Sequence, residues 1–202
     1  MEPTDLHPMP DWLDLTYLQR GSPRQQHTYA VLQRLSLWPT LQAYGPVLTG
    51  TIPLGIDLPG SDADVICEVG PPVQTEFARL VQERYGQQPG FQLRQKNIGG
   101  HDTIVAGFVA DGLAVELFGQ PLPALQQNAY RHMLVEHAIL AAGGAPWREA
   151  VVSLKRQGLK TEPAFAALLQ LPGDPYQALL ALESLSASAL AARLAGRELP
   201  AG

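Results

Sequence analysis

The feature that most constrains this chain is a pair of carboxylates, Asp62 and Asp64, at the entrance to the apolar run 65–67. Consecutive apolar residues are typical of a strand that is covered on both faces. Because side chains alternate along a strand, the two carboxylates are expected to point the same way. Like charges held side by side repel each other, so such a pair usually needs a cation or a shared proton. We therefore expect the fold to be organised around this pair.

A third carboxylate, Glu116, stands among apolar residues in the predicted strand 113–118, where an unpaired charge would be costly. Asp111 and Gly112, between two apolar runs, predict the hairpin turn that leads into this strand. The hairpin register can bring Glu116 beside the aspartate pair. Three carboxylates on adjacent strands form an oxygen cage suited to Mg²⁺ or Mn²⁺. The alternative interpretation is that Asp62 is a solvated turn residue and Asp64 a strand-edge acid.

Gly50 and Thr51 form a corner of small residues after an apolar strand and before the aspartate pair. Such a corner lets a phosphate group approach the backbone N–H groups and the threonine hydroxyl closely. A phosphate corner beside a metal site suits phosphoryl or nucleotidyl transfer. In that chemistry Glu116 could take the proton of the attacking hydroxyl.

Four further residues are candidates for nucleotide binding. Arg94 and Lys96 share one face of a predicted strand and could meet triphosphate oxygens, although a solvated strand edge explains them as well. Asn128 and Arg131 are three residues apart on one face of a predicted helix and could line the cleft opposite the carboxylates. The alternative for this second pair is a hydrogen bond within the helix. Arg24 is interpreted as a solvated residue in the first turn of a helix, with phosphate binding as the alternative.

The order of strand and helix signals predicts an α+β fold, with helices first, then a mixed sheet of about five strands with one inserted helix, and then a helical half. A capping box that starts at Ser22 predicts the helix that follows it. From residue 121 the pattern becomes helical, and we expect helices over 125–142, 146–157, 161–171, from 175 and over 184–196. We expect residues 1–122 to form an α/β core and residues 123–202 a helical region packed on it as one globular unit.

Composition excludes several classes of protein. The chain has 202 residues, of which 46% are hydrophobic, so it can bury a sizeable core. Its formal charge of −5 argues against a protein whose main task is to grip duplex nucleic acid. No apolar run approaches the roughly 20 residues that a membrane-spanning helix needs. The acidic N-terminus is unlike a secretory signal, and the single cysteine fits a reducing compartment, so we expect a cytoplasmic protein.

The corner, the aspartate pair and Glu116 together resemble the nucleotidyltransferase superfamily that includes DNA polymerase beta, kanamycin nucleotidyltransferase and the small bacterial minimal nucleotidyltransferases. The resemblance implies a largely antiparallel sheet, dependence on Mg²⁺ and an NTP substrate, and it adds Ser61 to the nucleotide-binding residues. Over residues 15–182 the chain is similar to a family of small bacterial domains of unknown function within this superfamily. The stretches that carry this similarity are 17–25, 48–68, 115–120, 127–133 and 160–165.

The leading hypothesis is a Mg²⁺-dependent nucleotidyltransferase that moves NMP from an NTP to an unidentified hydroxyl. A small molecule or a protein is favoured as the acceptor over RNA, because the chain is acidic and lacks a platform of basic and aromatic residues. The alternatives are a non-catalytic nucleotide sensor and an antitoxin-like partner-binding protein on the same fold. The C-terminal leucine-rich helices suit either core packing or a homodimer interface.

Overall fold

A computed structural model describes residues 10–199; the N-terminal stretch 1–9, which includes most of the acidic N-terminus, lies outside the described residues. Within them, five strands form one sheet in the spatial order β1-β2-β5-β4-β3. β2 and β5 are parallel, and the other neighbouring strands are antiparallel. The expected α+β fold with a mixed, largely antiparallel sheet is therefore confirmed. The strands are β1 (Val47–Thr49), β2 (Ala63–Glu68), β3 (Gln92–Ile98), β4 (His101–Ala110) and β5 (Leu113–Gln120).

The described chain also contains α-helices before the first strand, between strands and after the last strand. They are α1 (Pro23–Arg34), α2 (Leu37–Leu41), α3 (Thr51–Leu54), α4 (Gln74–Tyr85), α5 (Asn128–Arg156), α6 (Thr161–Leu169), α7 (Pro175–Leu180) and α8 (Ala187–Leu194). Short 3₁₀ turns occupy Leu15–Arg20, Gln42–Tyr44, Pro71–Val73 and Ala124–Gln126. None of the described helices combines the length and the apolar character needed to cross a membrane.

Local signals explain where several of these elements begin. The hydroxyl of Ser22 accepts a hydrogen bond from the backbone N–H of Gln25, and the Gln25 side chain accepts one from the N–H of Ser22. This reciprocal capping box starts α1, as the sequence predicts. Asp111 and Gly112 both have positive φ, which fits a tight two-residue turn between β4 and β5.

The segment α5 consists of two helices joined across a kink, as the sequence predicts. It runs from Asn128 to Arg156, and Gly144 inside it has non-helical backbone angles. Glycine reaches this left-handed conformation without strain, and Pro146 lacks the N–H that a continuous helix would use there. The predicted break between the two helices is therefore present at Gly144.

The buried side chains form two large clusters. The first lies between one face of the sheet and helices α1, α2 and α4, and it includes Leu32, Leu41, Phe77 and Leu117. The second joins α5, α6, α7 and α8, and it also contains Trp12, Leu54 and Ile56 from the N-terminal half. Cys67 is fully buried, as predicted for a core residue.

The alternation along β5 decides which side chains remain available for function. Leu113, Val115 and Leu117 are fully buried in the first cluster. Glu116 and Phe118 alternate with them, are half-buried and therefore lie on the opposite face of the sheet. That opposite face is the one on which the candidate site is built.

Candidate functional site

Strand pairing brings the three predicted carboxylates together. In the parallel β2–β5 register Asp64 lies opposite Glu116, and Asp62 lies just before the first residue of β2. Asp62, Asp64 and Glu116 each offer a carboxylate oxygen, and these oxygens all lie within 4.8 Å of one another. Residues 10–199 contain no other such group of His, Cys, Asp and Glu side chains. The position of Asp62 outside the strand differs from the expectation that both aspartates are strand residues, but the two carboxylates still converge.

The electrostatics of these acids indicate a site that lacks a nearby counter-charge. The pKa of Asp64 is raised to about 7, first by burial and then by the neighbouring charges of Asp62, Glu116 and Glu162. A divalent cation would relieve this repulsion, and clustered carboxylate oxygens are the ligands that Mg²⁺ and Mn²⁺ prefer. The residues present therefore fit a hard divalent metal.

The phosphate corner lies directly against the carboxylates. Gly50 follows β1, in which Thr49 pairs with Asp64. Gly50 has φ of +80°, and a Cβ at this position would lie 2.6 Å from Oδ2 of Asp64. Both the backbone conformation and the close approach require glycine. Thr51 begins α3 beside it and is half-buried.

A cavity of about 970 Å³ extends from the corner and the aspartates between the sheet and the helical half. This volume is at the upper end of the range for small-molecule sites, roughly 300–1,000 Å³. One part of its lining, here called the inner arm, consists of the buried side chains His132, Glu136 and Lys155. Another part, here called the outer arm, consists of the exposed residues Ile98 and Gly99 at the tip of the β3–β4 hairpin.

Most of the predicted site residues line this cavity or reach it. They are Gly50, Thr51, Ser61, Asp62, Asp64, Asn128 and Arg131, with Glu116 joining through the carboxylate cluster. Arg131 also forms an ion pair of 2.7 Å with Glu183 and donates a hydrogen bond to Oδ1 of Asn128. The pairing within the helix, which the sequence offered as an alternative, is therefore present together with the position in the cavity.

The structure does not bring Arg94 and Lys96 to the cavity. Both are exposed on β3, the edge strand, where they pair with Val105 and Thr103 of β4. This placement matches the alternative interpretation of a solvated strand edge. Charged residues on an edge strand also discourage pairing with another sheet.

The environment of Arg24 differs from the favoured prediction of a solvated side chain. Its guanidinium donates a hydrogen bond of 2.8 Å to the carbonyl of Ser61, immediately before Asp62. The capping box that starts α1 places the first turn of the helix against this loop. Arg24 therefore contacts protein backbone next to the carboxylate cluster.

Sequence reasoning missed the polar residues of the inner arm. Glu136 is 3% exposed, and its pKa is raised well above the ordinary value by burial and by Glu162, with Lys155 acting in the opposite direction. His132 donates from Nε2 to the Tyr176 carbonyl at 3.0 Å, since a carbonyl can only accept, and its Nδ1 lies 3.9 Å from Glu162. A glutamate on the apolar stripe of a helix was the available signal for Glu136. Nothing local indicated Glu162, because its place depends on how α6 packs against α5.

Solved structures with a similar fold include a poly(U) polymerase. The Cid1 poly(U) polymerase with bound MgGTP is 14% identical with a TM-score of 0.50, covering 82% of this chain and 53% of its own. The GLD-2/RNP-8 complex is 12% identical with a TM-score of 0.50, covering 77% of this chain and 61% of its own. The chain thus spans less than two thirds of these structures, and the likeness concerns the fold. No curated protein matches the sequence.

The sequence itself matches one family of protein domains. The match covers residues 30–182, which include the phosphate corner, all three carboxylates and the helices that line the inner arm. The family is described as a domain of unknown function, DUF4269, and the match spans most of the chain. The chain therefore belongs to the DUF4269 family.

Proposed function

We propose that this protein is a divalent-metal-dependent nucleotidyltransferase that moves NMP from an NTP to a hydroxyl acceptor. The observation that carries the proposal is the convergence of Asp62, Asp64 and Glu116, with oxygens within 4.8 Å, beside the Gly50–Thr51 corner. The fold shared with the Cid1 poly(U) polymerase supports the same chemistry. Mg²⁺ is the proposed ion, with Mn²⁺ as the alternative, because both take clustered carboxylate oxygens.

Asp62, Asp64 and Glu116 would hold the metal. When bound, such a metal supplies positive charge that stabilises phosphate oxygens and favours deprotonation of a hydroxyl. The three carboxylates carry a negative charge that otherwise would repel a triphosphate. Metal binding therefore has to accompany nucleotide binding at this site.

The remaining steps are assigned to residues of the chain. The backbone N–H groups at the corner and the hydroxyl of Thr51 bind the phosphates of the NTP. The acceptor oxygen attacks the α-phosphorus, a new P–O bond forms, and the bond to the leaving pyrophosphate breaks. The proton of the acceptor hydroxyl passes to Glu116, which lies beside Asp64 in the parallel strand. Ser61, Asn128 and Arg131 are proposed to bind the nucleotide from the other sides of the cavity.

The burial of the lining residues supports a division between the two substrates. The inner arm consists of buried side chains and suits the nucleoside, which is the constant part of the donor. The outer arm lies at the exposed tip of the β3–β4 hairpin and suits the acceptor. The formal charge of −5 favours a small molecule or a protein over RNA. We further propose that the protein is bacterial, lies in the cytoplasm and forms a homodimer.

The proposal is tested with α-³²P-labelled NTPs, Mg²⁺ or Mn²⁺, and fractions of small molecules, proteins and RNA as acceptors. We expect label transfer and pyrophosphate release that fall by at least about 100-fold in Asp64→Asn and Glu116→Gln. Glu68→Gln is the control, because Glu68 is exposed on the same strand as Asp64 and does not line the cavity. NTP binding without turnover across all acceptors would favour the nucleotide sensor. Failure to bind either metal or NTP would contradict both readings.

A further inference from the structure

The segment 52–61, here called the loop although it begins inside α3, joins the phosphate corner to Asp62, and side chains from elsewhere hold several of its carbonyl groups. Its own hydrogen bonds run from Gly55 N–H to Ile52, from Ile56 N–H to Thr51, from Ser61 N–H to Leu58, and from Leu58 N–H to the Ser61 hydroxyl. A loop that carries a metal ligand at its end must be fixed, because catalytic groups need accurate placement. The contacts from outside therefore have a direct bearing on the site.

Two side chains of α1 hold the loop from one side. Nε2 of Gln25 donates to the carbonyls of Ile52 and Pro53 at 2.9 and 3.0 Å. Nη2 of Arg24 donates to the carbonyl of Ser61 at 2.8 Å. The first turn of α1 thus holds both ends of the loop.

Two cationic side chains of α5 hold the middle of the same loop. Nη1 of Arg148 donates to the carbonyls of Leu54 and Gly55, and the second of these bonds measures 3.3 Å. Nζ of Lys155 donates to the carbonyl of Ile56 at 2.7 Å. These residues are more than 90 positions away from the loop in sequence, so they connect the helical half to the corner.

The loss of hydration at Arg148 and Lys155 supports a specific role for these two cations. Burial lowers the pKa values of both Arg148 and Lys155, and neither forms an ion pair with a carboxylate in the described part of the chain. Carbonyl oxygens are the partners that compensate for the lost water.

We infer that Arg148 is a positioning residue for the metal and phosphate site. Its guanidinium binds the carbonyls of Leu54 and Gly55 and thereby fixes the position of the phosphate corner relative to Asp62. Gln25 and Lys155 share this task. The inference rests on the proposed function, because the corner and the carboxylates are taken to act on one substrate.

Arg148 is the most suitable residue for a test, because its substitution changes the fewest other contacts. Gln25 also forms the capping box of α1, and Lys155 also lines the cavity, so changing either alters more than the loop. Arg148 is an exposed residue whose hydrogen bond to the Leu54 carbonyl is partly buried, and its described hydrogen bonds go to the loop alone. Arg156→Met is the matched control, since Arg156 is an exposed arginine at the end of the same helix with no described hydrogen bond.

The first measurement is hydrogen–deuterium exchange of full-length Arg148→Met without ligand. We expect faster exchange of the amides of Gly55, Ile56 and Ser61, with the sheet amides of β4 and β5 unchanged. The second measurement is Mn²⁺ affinity, followed by electron paramagnetic resonance, which we expect to fall about tenfold. Arg148→Lys, which keeps a cationic donor group but not the planar guanidinium, should restore part of both effects, and Arg156→Met should change neither.

The outcomes separate the inference from the proposed function. If the wild-type protein binds Mn²⁺ but transfers no nucleotide, the proposed reaction fails, while exchange and metal affinity still decide the role of Arg148. If it transfers nucleotide, Arg148→Met should raise KM for the NTP more than it lowers kcat. Unchanged loop exchange with unchanged Mn²⁺ affinity would overturn the inference, and so would a uniform rise in exchange over the whole chain.

Discussion

Glycine is required at position 50 for two reasons, the backbone conformation and the close approach of a carboxylate. Its φ of +80° disfavours any side chain, and its missing Cβ leaves room for Oδ2 of Asp64. Gly112, in the β4–β5 turn, has φ of +72° but open space around its Cα. The two glycines therefore share a similar conformational demand, and only Gly50 adds a close approach to a carboxylate.

This comparison gives a prediction at the residue scale. Gly50→Ala and Gly112→Ala should both lower the free energy of unfolding by about 1–3 kcal/mol, because each forces alanine into a strained conformation. Only Gly50→Ala should also lose Mn²⁺ binding, since its methyl group displaces the Asp64 carboxylate. Urea unfolding and Mn²⁺ titration measure the two effects. Equal Mn²⁺ affinity in both variants would show that the close approach has no bearing on the metal site.

Glu136 predicts a pH dependence of stability. It is buried, makes no hydrogen bond with a described residue, and its folded-state pKa is raised. Above the ordinary glutamate pKa of about 4.3, the unfolded chain has lost a proton that the folded chain still holds. This group therefore makes stability fall as pH rises through the window up to its raised pKa, with a limiting slope of about 1.4 kcal/mol per pH unit.

Glu136→Gln removes this dependence and should be more stable than the wild type, by a margin that grows as the pH rises above the ordinary glutamate pKa of about 4.3. Urea unfolding at several pH values measures the margin. Glu149→Gln, which changes an exposed glutamate of the same helix, should show no such growth. A constant margin for Glu136→Gln would mean that the buried carboxyl keeps its ordinary titration.

At the scale of elements, local patterns were sufficient for most of the fold and for the three candidate metal ligands. The alternation around Glu116 and the apolar run after Asp64 identified two neighbouring strands, and their pairing brings the acids together. The inner arm and the loop contacts were not predictable in this way. Lys155 reaches Ile56 across 99 positions, and a helical pattern shows which face of α5 is apolar but not which loop it covers.

Strand β5 gives a prediction about packing against α4. A Cβ added at Gly119 would lie 2.8 Å from Cγ2 of Val69 and 2.9 Å from Cε1 of Phe77, so the sheet and helix would have to separate. Gly119→Ala should lower the free energy of unfolding by about 1–3 kcal/mol through overpacking. At Gly107, on neighbouring β4, the nearest atom would lie 3.7 Å away, so Gly107→Ala is the matched control with a small expected effect. Similar losses in both variants would point to a general intolerance of alanine in the sheet.

At the scale of the molecule, residues of the N-terminal half contribute to both hydrophobic clusters. Trp12, Leu54 and Ile56 precede the helical region in sequence but are buried in its cluster. Tyr17 packs against both clusters. The candidate cavity lies where the two halves meet, so its shape depends on both being folded. The proposed division into residues 1–122 and 123–202 within one globular unit therefore implies cooperative unfolding.

The tryptophans allow this last prediction to be measured cluster by cluster. Trp38 packs against the first cluster, whereas Trp12 and Trp147 are buried in the second. A Trp38→Phe variant therefore reports on the second cluster by fluorescence, and a Trp12→Phe/Trp147→Phe variant reports on the first. In each variant the fluorescence transition in urea should coincide with the loss of helical circular dichroism, because neither cluster is complete without the other. Separate midpoints would instead mean that the helical half folds alone and that the cavity between the halves can open without global unfolding.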